Sequence, residues 1–459
     1  MLMQDVAGVG GSGFQPQRIP QALKASNWDS FPRNKLRSEQ GFDYPLKSKP
    51  ISKKTMHPTL SPRRETWLLF TLAGIQFTHI MDFMIMMPLG PQFTRIFQIS
   101  DAQFGFLVSA YTLAAGVSGL LASLYIDRYG RKRLLLVMYA LFAVATLACG
   151  LAQSYSALVV ARIAAGIFGG VLSALVQTIV ADVVPYERRG KAMGIVMSAF
   201  SVATVAGVPS GLFMAAHFDW HMPFFVIAGI SAGLVVFAGF SMPVLTDHLA
   251  LKDRPSPIGG IVQTLADANH LKAFAFTALL MFGGFTVIPY ITIYMTANAG
   301  LSTQQVPYIY LCGGAATLFT SQFFGRLTDR RGKVWTYRLM AGVTAMAIPM
   351  VTLSAGLPLW GILAITTVFF ISMTGRMIPG MAVVTSAANP QLRGTFMALN
   401  SAVQSAAMGV AAFVGGLIIS RDAQGMLAHY WVSAAVGVLV SICAIWLVGK
   451  LHLYGQLKK

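Results

Sequence analysis

Apolar residues run along this chain in blocks of about twenty, each closed by a short polar or basic gap. The blocks fall at 66–90, 103–124, 134–152, 156–181, 192–216 and 222–243. A polar stretch, 244–270, interrupts them, and six more follow at 271–296, 305–326, 335–356, 358–386, 395–420 and 427–449. At a rise of about 1.5 Å per residue, each block is long enough to cross about 30 Å of hydrocarbon as an α-helix. The pattern predicts an all-α membrane protein with twelve transmembrane helices in two six-helix halves. It also sets domain limits: a tail over 1–60, a first bundle over 61–243, a linker over 244–270, a second bundle over 271–450 and a tail over 451–459.

Composition narrows the class. The chain is 55% hydrophobic and only 11% charged, with a mean hydropathy of +0.63. A soluble domain carries about 25% charged residues, so this chain has too little polar surface for water and enough apolar surface for a bilayer. The net charge of +18 does not imply nucleic acid, because nine Lys/Arg against four acids precede residue 58 and most others sit in short gaps between blocks. With the N-terminus inside, the inner loops hold sixteen cations, from Arg128 and Lys132 through Arg330 to Arg393, and the outer loops hold Arg95 and Arg421 alone. That asymmetry puts both termini in the cytoplasm. Residues 1–60 are rich in Gly, Pro, Ser, Gln and Lys, without the apolar run of a signal peptide, and read as a disordered basic cytoplasmic tail. Met56 stands just before the first helix, so 1–55 are open to being an over-long gene start, which N-terminal mass spectrometry would settle. Cys149, Cys312 and Cys443 lie inside apolar blocks at no metal or disulfide spacing, as small core residues do.

Two motifs recur. Asp127-Arg128-Tyr129-Gly130-Arg131-Lys132 follows helix 2, and Asp329-Arg330-Arg331-Gly332-Lys333 follows helix 8, an offset of 202. Arg189-Gly190-Lys191-Ala192-Met193 lies between helices 4 and 5, and Arg393-Gly394-Thr395-Phe396-Met397 between helices 10 and 11, an offset of 204. Two motifs at nearly one offset mean that six helices were duplicated in the same orientation. Such parallel halves imply a binding site between them near mid-membrane.

The stretch Ser123 to Lys132 resembles the helix 2–3 motif of the major facilitator superfamily, Gly-x-Leu-Ala-Asp-Arg-x-Gly-Arg-Lys. It has Ser123 for the usual Gly and Tyr125 for the usual Leu, whereas the second copy, Gly325 to Lys333, keeps the Gly and Leu327. The resemblance covers 62–450 and implies transport by alternating access. An acid followed by cations at a helix end can cap a neighbouring helix and pair with Arg, contacts that break when the halves rock. On this reading Asp127, Arg128, Gly130, Arg131, Asp329, Arg330, Gly332, Arg189 and Arg393 gate the cytoplasmic face. The alternative is that the cations only set topology.

Charge inside a bilayer is costly, so each instance is a candidate site. Asp82 on helix 1 is the acid well inside a span, and Arg162 on helix 4 and Arg376 on helix 10 are the deep cations. Asp82 and Arg162 lie at similar depths from the outer ends of their helices, and His79 shares the face of Asp82. Arg162-Ile163-Ala164-Ala165-Gly166 resembles the family's helix 4 motif, whose Arg is associated with proton coupling. Asp82 is therefore the expected proton acceptor, tuned by Arg162 and assisted by His79, the alternatives being a structural salt bridge and a packing histidine. Arg376 has no acid of matching depth. Carbonyls freed near Pro379 and Gly380, an anionic substrate group, or snorkelling toward the cytoplasm would each serve it. Gly207-Val208-Pro209-Ser210-Gly211 on helix 5 is similar to the motif of antiporter-type members, with Val208 splitting the usual Gly-Pro, and packing glycines are the alternative. Gln76, Gln177, Gln322, Asn400 and Gln404 are candidate cavity-facing residues, beside Met and Phe side chains that suit varied apolar ligands.

The resemblance is nearest to the drug:proton antiporters and the arabinose-efflux-like permeases. It implies an inner-membrane, proton-coupled exporter of a small organic molecule, with no cofactor, protons and the substrate as partners, and a monomeric state. A uniporter or importer of the same fold, with an anion held by Arg376 as one case, and a transport-inactive sensor are the alternatives. No P-loop or nucleophile elbow points to an enzyme or an ATP-driven pump.

Overall fold

The computed structural model describes residues 61–454 except 185–187, 247–248 and 250–256, and gives no side-chain description at 62, 123, 127, 189–191 and 257. The tail expected over 1–60 lies outside the described residues.

Helix α1 (Pro62–Ile85) has a proline in its first turn and stops ahead of Pro88, which disfavours helix at the residue before it. The sequence block ran on to residue 90, but the chain turns through 86–89 into the short α2 (Gly90–Ile96). Helix α3 (Asp101–Tyr125) begins in a capping box of Ser100 and Gln103. The reciprocal bonds measure 3.2 and 2.9 Å, and they satisfy two amides the helix leaves unpaired. α4 (Arg131–Gly150) follows, and then α5 (Tyr155–Val183), whose cap is Ser154. The fifth span consists of α6 (Arg189–Val202), a π-helical turn over Ala203–Gly207 and α7 (Val208–His217). Pro209 cannot donate to the helical ladder, and the extra residue in the turn absorbs that defect. α8 (His221–Ser241) closes the first half.

The polar stretch between halves contains a helix that its composition hid, α9 (Pro257–Ala266). The seventh span breaks at Pro289 into α10 (Ala268–Phe285) and α11 (Ile291–Ala297). α12 (Val306–Arg331), α13 (Lys333–Thr352), α14 (Leu359–Ala387), α15 (Arg393–Ile418) and α16 (Tyr430–Val448) complete the chain. A two-residue hairpin, β1 (Ser420–Arg421) with β2 (Leu427–Ala428), joins the last two.

Among the described residues, eleven of these spans are long and apolar enough to cross a bilayer. The twelfth is α12, at 26 residues long enough but made more polar by Gln322, Arg326, Asp329, Arg330 and Arg331. The result is the twelve-helix, two-half layout the blocks predict. Large apolar side chains such as Phe240, Phe319 and Trp360 are exposed, as they are where lipid is the solvent. Cys149 is a core residue as expected, whereas Cys312 is half-buried and Cys443 exposed, because apolar helices in lipid carry as many outward as inward positions.

Candidate functional site

Asp82 and Arg162 meet. Arg162 Nη1 donates to Asp82 Oδ2 at 2.7 Å and to the Asp82 carbonyl at 3.2 Å, with both side chains fully buried. Thr146 on α4 donates to the other carboxylate oxygen at 3.2 Å. The guanidinium lies over the Tyr111 ring, 4.2 Å from its centroid, so a π-face covers one side of the cation. Arg162 Nε and Nη2 find no acceptor, nor do the two His79 ring nitrogens or the Tyr111 hydroxyl find partners among the described residues. A buried polar group without a partner costs about 1–3 kcal/mol, which sets this cluster apart from ordinary packing.

Glycines on α5 create the room. A Cβ at Gly166 or Gly170 would strike the carbonyl of Tyr111 or Ala115 on α3. One at Gly169 would stand 2.7 Å from His79 Nε2 and 2.9 Å from the Tyr111 hydroxyl. Gly166 and Gly170 form the small-xxx-small spacing that lets membrane helices touch, a signal present in the sequence and not used above.

His79 and Tyr111 reach a cavity of about 990 Å³ that extends to the basic-loop ends of α5, α9 and α15. Gln177, Ser173, Ser401 and Ser405 supply its neutral polar groups, and Phe83, Leu120 and Met408 its apolar ones. Of the polar residues expected there, only Gln177 lines it. Asn400 is buried and accepts a bond from Thr277 at 2.6 Å; Gln76 and Gln404 are half-buried and Gln322 exposed elsewhere. Arg376 is also outside the lining. It is buried against Gly283 and Gly284, and Nη1 donates to Ser441 at 3.3 Å while Nε has no acceptor.

At the basic-loop end Arg131 donates from Nε to Asp182 at 2.9 Å and from Nη1 to the Ile126 carbonyl at 2.6 Å. The apolar block stops at 181 and leaves Asp182 out of the candidates, whereas α5 runs to Val183. The repeat reproduces the contact: Lys333 lies 202 residues after Arg131, Ser386 lies 204 after Asp182, and Lys333 Nζ donates to Ser386 Oγ at 2.5 Å. Arg128, Asp329, Arg330 and Arg393 are exposed; the side chains of Asp127 and Arg189 lie outside the described residues. Gly332 has φ +91°, which a glycine tolerates, while its counterpart Gly130 has φ −61°.

On the opposite side the halves are closed. Asp101, at the start of α3, accepts two bonds from Arg421 at 2.9 and 3.0 Å. The Tyr290 hydroxyl donates to the Ala412 carbonyl at 2.5 Å, and Gly105 and Gly416 let α3 and α15 approach around it. Gly207 and Gly211 pack under Met81 and Ile85 of α1, and a Cβ added at Gly314 of α12 would stand 3.0 Å from the backbone of the π-helical turn. The fifth span thus touches the Asp82 helix through Gly207 and Gly211 and the other half through Thr204 and Val205.

A sequence model described as Major Facilitator Superfamily matches residues 72–375 and 273–453. An uncharacterized MFS-type transporter, YceJ of Bacillus subtilis (strain 168), is 25% identical over 396 residues, 86% of this chain and 96% of the relative. Multidrug resistance protein 2 of the same organism is 24% identical over 279 residues, 59% of this chain and 68% of that protein. Among solved structures, a bacterial homolog of the human lysosomal transporter Spinster, inward-facing and occupied, aligns with a TM-score of 0.69 at 15% identity, over 86% of this chain and 98% of that one. A D-xylose-proton symporter aligns at 0.68 and 16% identity, over 84% and 97%. At such identities these structures speak for the fold.

Proposed function

The chain belongs to the Major Facilitator Superfamily, and on that premise we propose that it exports a small organic molecule in exchange for entering protons. The observation that carries this reading is the fully buried Asp82–Arg162 pair, beside His79 and Tyr111, which line the cavity. As substrate enters the cavity, the proton on Asp82 leaves past His79 and Tyr111 to the cytoplasmic side. Deprotonation restores the charge that Arg162 Nη1 faces and draws α1 onto α5, and a proton from the outer side reloads Asp82 once the cavity opens there. Met81, next in sequence, packs on Gly207, and the π-helical turn packs on α12, so movement of α1 is passed across the interface. Alternating access then opens the outer side and closes the inner one.

Substrate occupies the cavity against Gln177 and its serines, with Phe83 and Met408 as adaptable apolar wall. Arg131 and Asp182, which line the inner mouth, act as a gate with Lys333 and Ser386 as its weaker copy in the second half. Asp127 and Asp329 belong to the same gate. On this reading both termini face the cytoplasm and the protein sits in the inner membrane, an orientation that the basic loops support. The similarity to a protein named for multidrug resistance is in keeping with export.

Everted vesicles with an acidified interior and a pH-sensitive dye test this. Lipophilic cations, neutral sugars and organic anions are added in turn to vesicles carrying the protein or its Asp82→Asn variant. One class should collapse the gradient only with Asp82 present. Collapse of equal size with Asp82→Asn would remove the carboxylate from the coupling path.

A further inference from the structure

A second concavity, of about 300 Å³, lies at the start of α4 and the segment after α8. Leu136, Val137, Val244 and Leu245 form its walls, and Lys132 and Arg133 its rim. Two bonds stitch the floor: the Arg131 amide donates to the Leu245 carbonyl at 3.0 Å, and Lys132 Nζ donates to the Met242 carbonyl at 2.7 Å. Gly130 leaves the upper end without a side chain, where an added Cβ would stand 3.3 Å from the Thr246 methyl.

The groove faces outward. Val137 is 46% exposed and Val244 75%, so its walls continue the apolar belt that the bilayer covers. Its rim stands at the basic-loop end, at the level of the lipid headgroups. There the charges are in surplus: Arg131 is paired with Asp182, Lys132 spends one of three N–H groups on a carbonyl, and Arg133 is exposed with no partner among the described residues. Both belong to the first turn of a 20-residue helix with no side-chain cap, where the peptide dipoles also favour an anion.

We propose that this groove binds one anionic phospholipid, its phosphate held by Arg133 and Lys132 and an acyl chain laid along Leu136, Val137 and Val244. A role in topology alone would require the cations but not the apolar groove beneath them. The internal repeat supplies the contrast. The residues 202 positions after Lys132 and Arg133 are Val334 and Trp335, so the second half keeps the loop motif without this pair of cations. The site bridges α4 to the chain after α8, next to the Arg131–Asp182 contact, so a bound lipid stiffens that corner of the first half.

Native mass spectrometry of the full chain, with dioleoyl phosphatidylglycerol and phosphatidylcholine supplied in equal amounts, tests the assignment. One phosphatidylglycerol should be retained with about tenfold preference, and Lys132→Gln/Arg133→Gln should abolish the preference, each cation at a membrane surface being worth about a fivefold factor. Arg330→Gln/Arg331→Gln should leave it intact. Val244→Trp, which fills the groove and keeps both cations, should also lose the lipid, and it decides the matter if the double variant unfolds in lipid-free detergent. Equal retention of the two lipids, or retention by Val244→Trp, would overturn the proposal. Displacement of the lipid by millimolar inorganic phosphate would overturn it too, leaving a simple anion site.

Discussion

At the residue scale the decisive feature is a fully buried carboxylate and guanidinium in direct contact. Removing one partner of such a pair leaves the other charge buried alone, at a cost of about 3–5 kcal/mol. Arg162→Met should therefore unfold at a markedly lower denaturant concentration than the native chain. Adding Asp82→Asn to it should restore most of the loss while leaving coupling absent; a double variant as unstable as the single one would contradict the pairing. The pair was legible because deep charges are few and their depths can be compared across helices. Its surroundings were not. Thr146 and Tyr111 look like ordinary membrane-helix residues, and only their placement against Asp82 and Arg162 reveals their part. Arg376 shows the opposite limit: depth made it a candidate, but packing on Gly283 and Gly284 keeps it out of the cavity.

At the element scale the chain's punctuation is a set of glycines and prolines with different duties. Gly332 joins α12 to α13 at φ +91°, where any Cβ is strained by about 1–2 kcal/mol. Gly130, its repeat partner, sits at φ −61°. Gly332→Ala should lower the thermal midpoint by several degrees and Gly130→Ala by much less; equal shifts would mean that the two loops are held alike. The recurrence of the glycine was visible in the sequence, but the conformational reason for only one copy was not. The kink at Pro209 was similarly visible, whereas its form, a π-helical turn packed on α12, depends on a neighbour 100 residues away. The amphipathic α9 was lost in a polar stretch because ten residues are too few to register as a span.

At the scale of the whole molecule, two halves meet along α3 and α15 and are clasped by Asp101 and Arg421 on the side opposite the basic loops, the outer side in the proposed orientation. The block pattern and the repeat gave this architecture, but the clasp joins residues 320 apart in loops that carried no motif. Its removal should favour the outward-open state. In a chain whose three cysteines are replaced by serine, Val108→Cys should react with a membrane-impermeant maleimide about five to ten times faster once Asp101→Asn is added. That factor corresponds to a shift of about 1 to 1.4 kcal/mol between states; an unchanged rate would show that the apolar contacts alone hold the outer side shut. The central claim is that Asp82 carries the exchanged proton. The most direct test adds the compound found in the vesicle screen to purified protein in weak buffer and records proton release with an indicator dye. The account predicts release on binding by the native chain and none by Asp82→Asn; equal release by both would place the coupled proton on another residue.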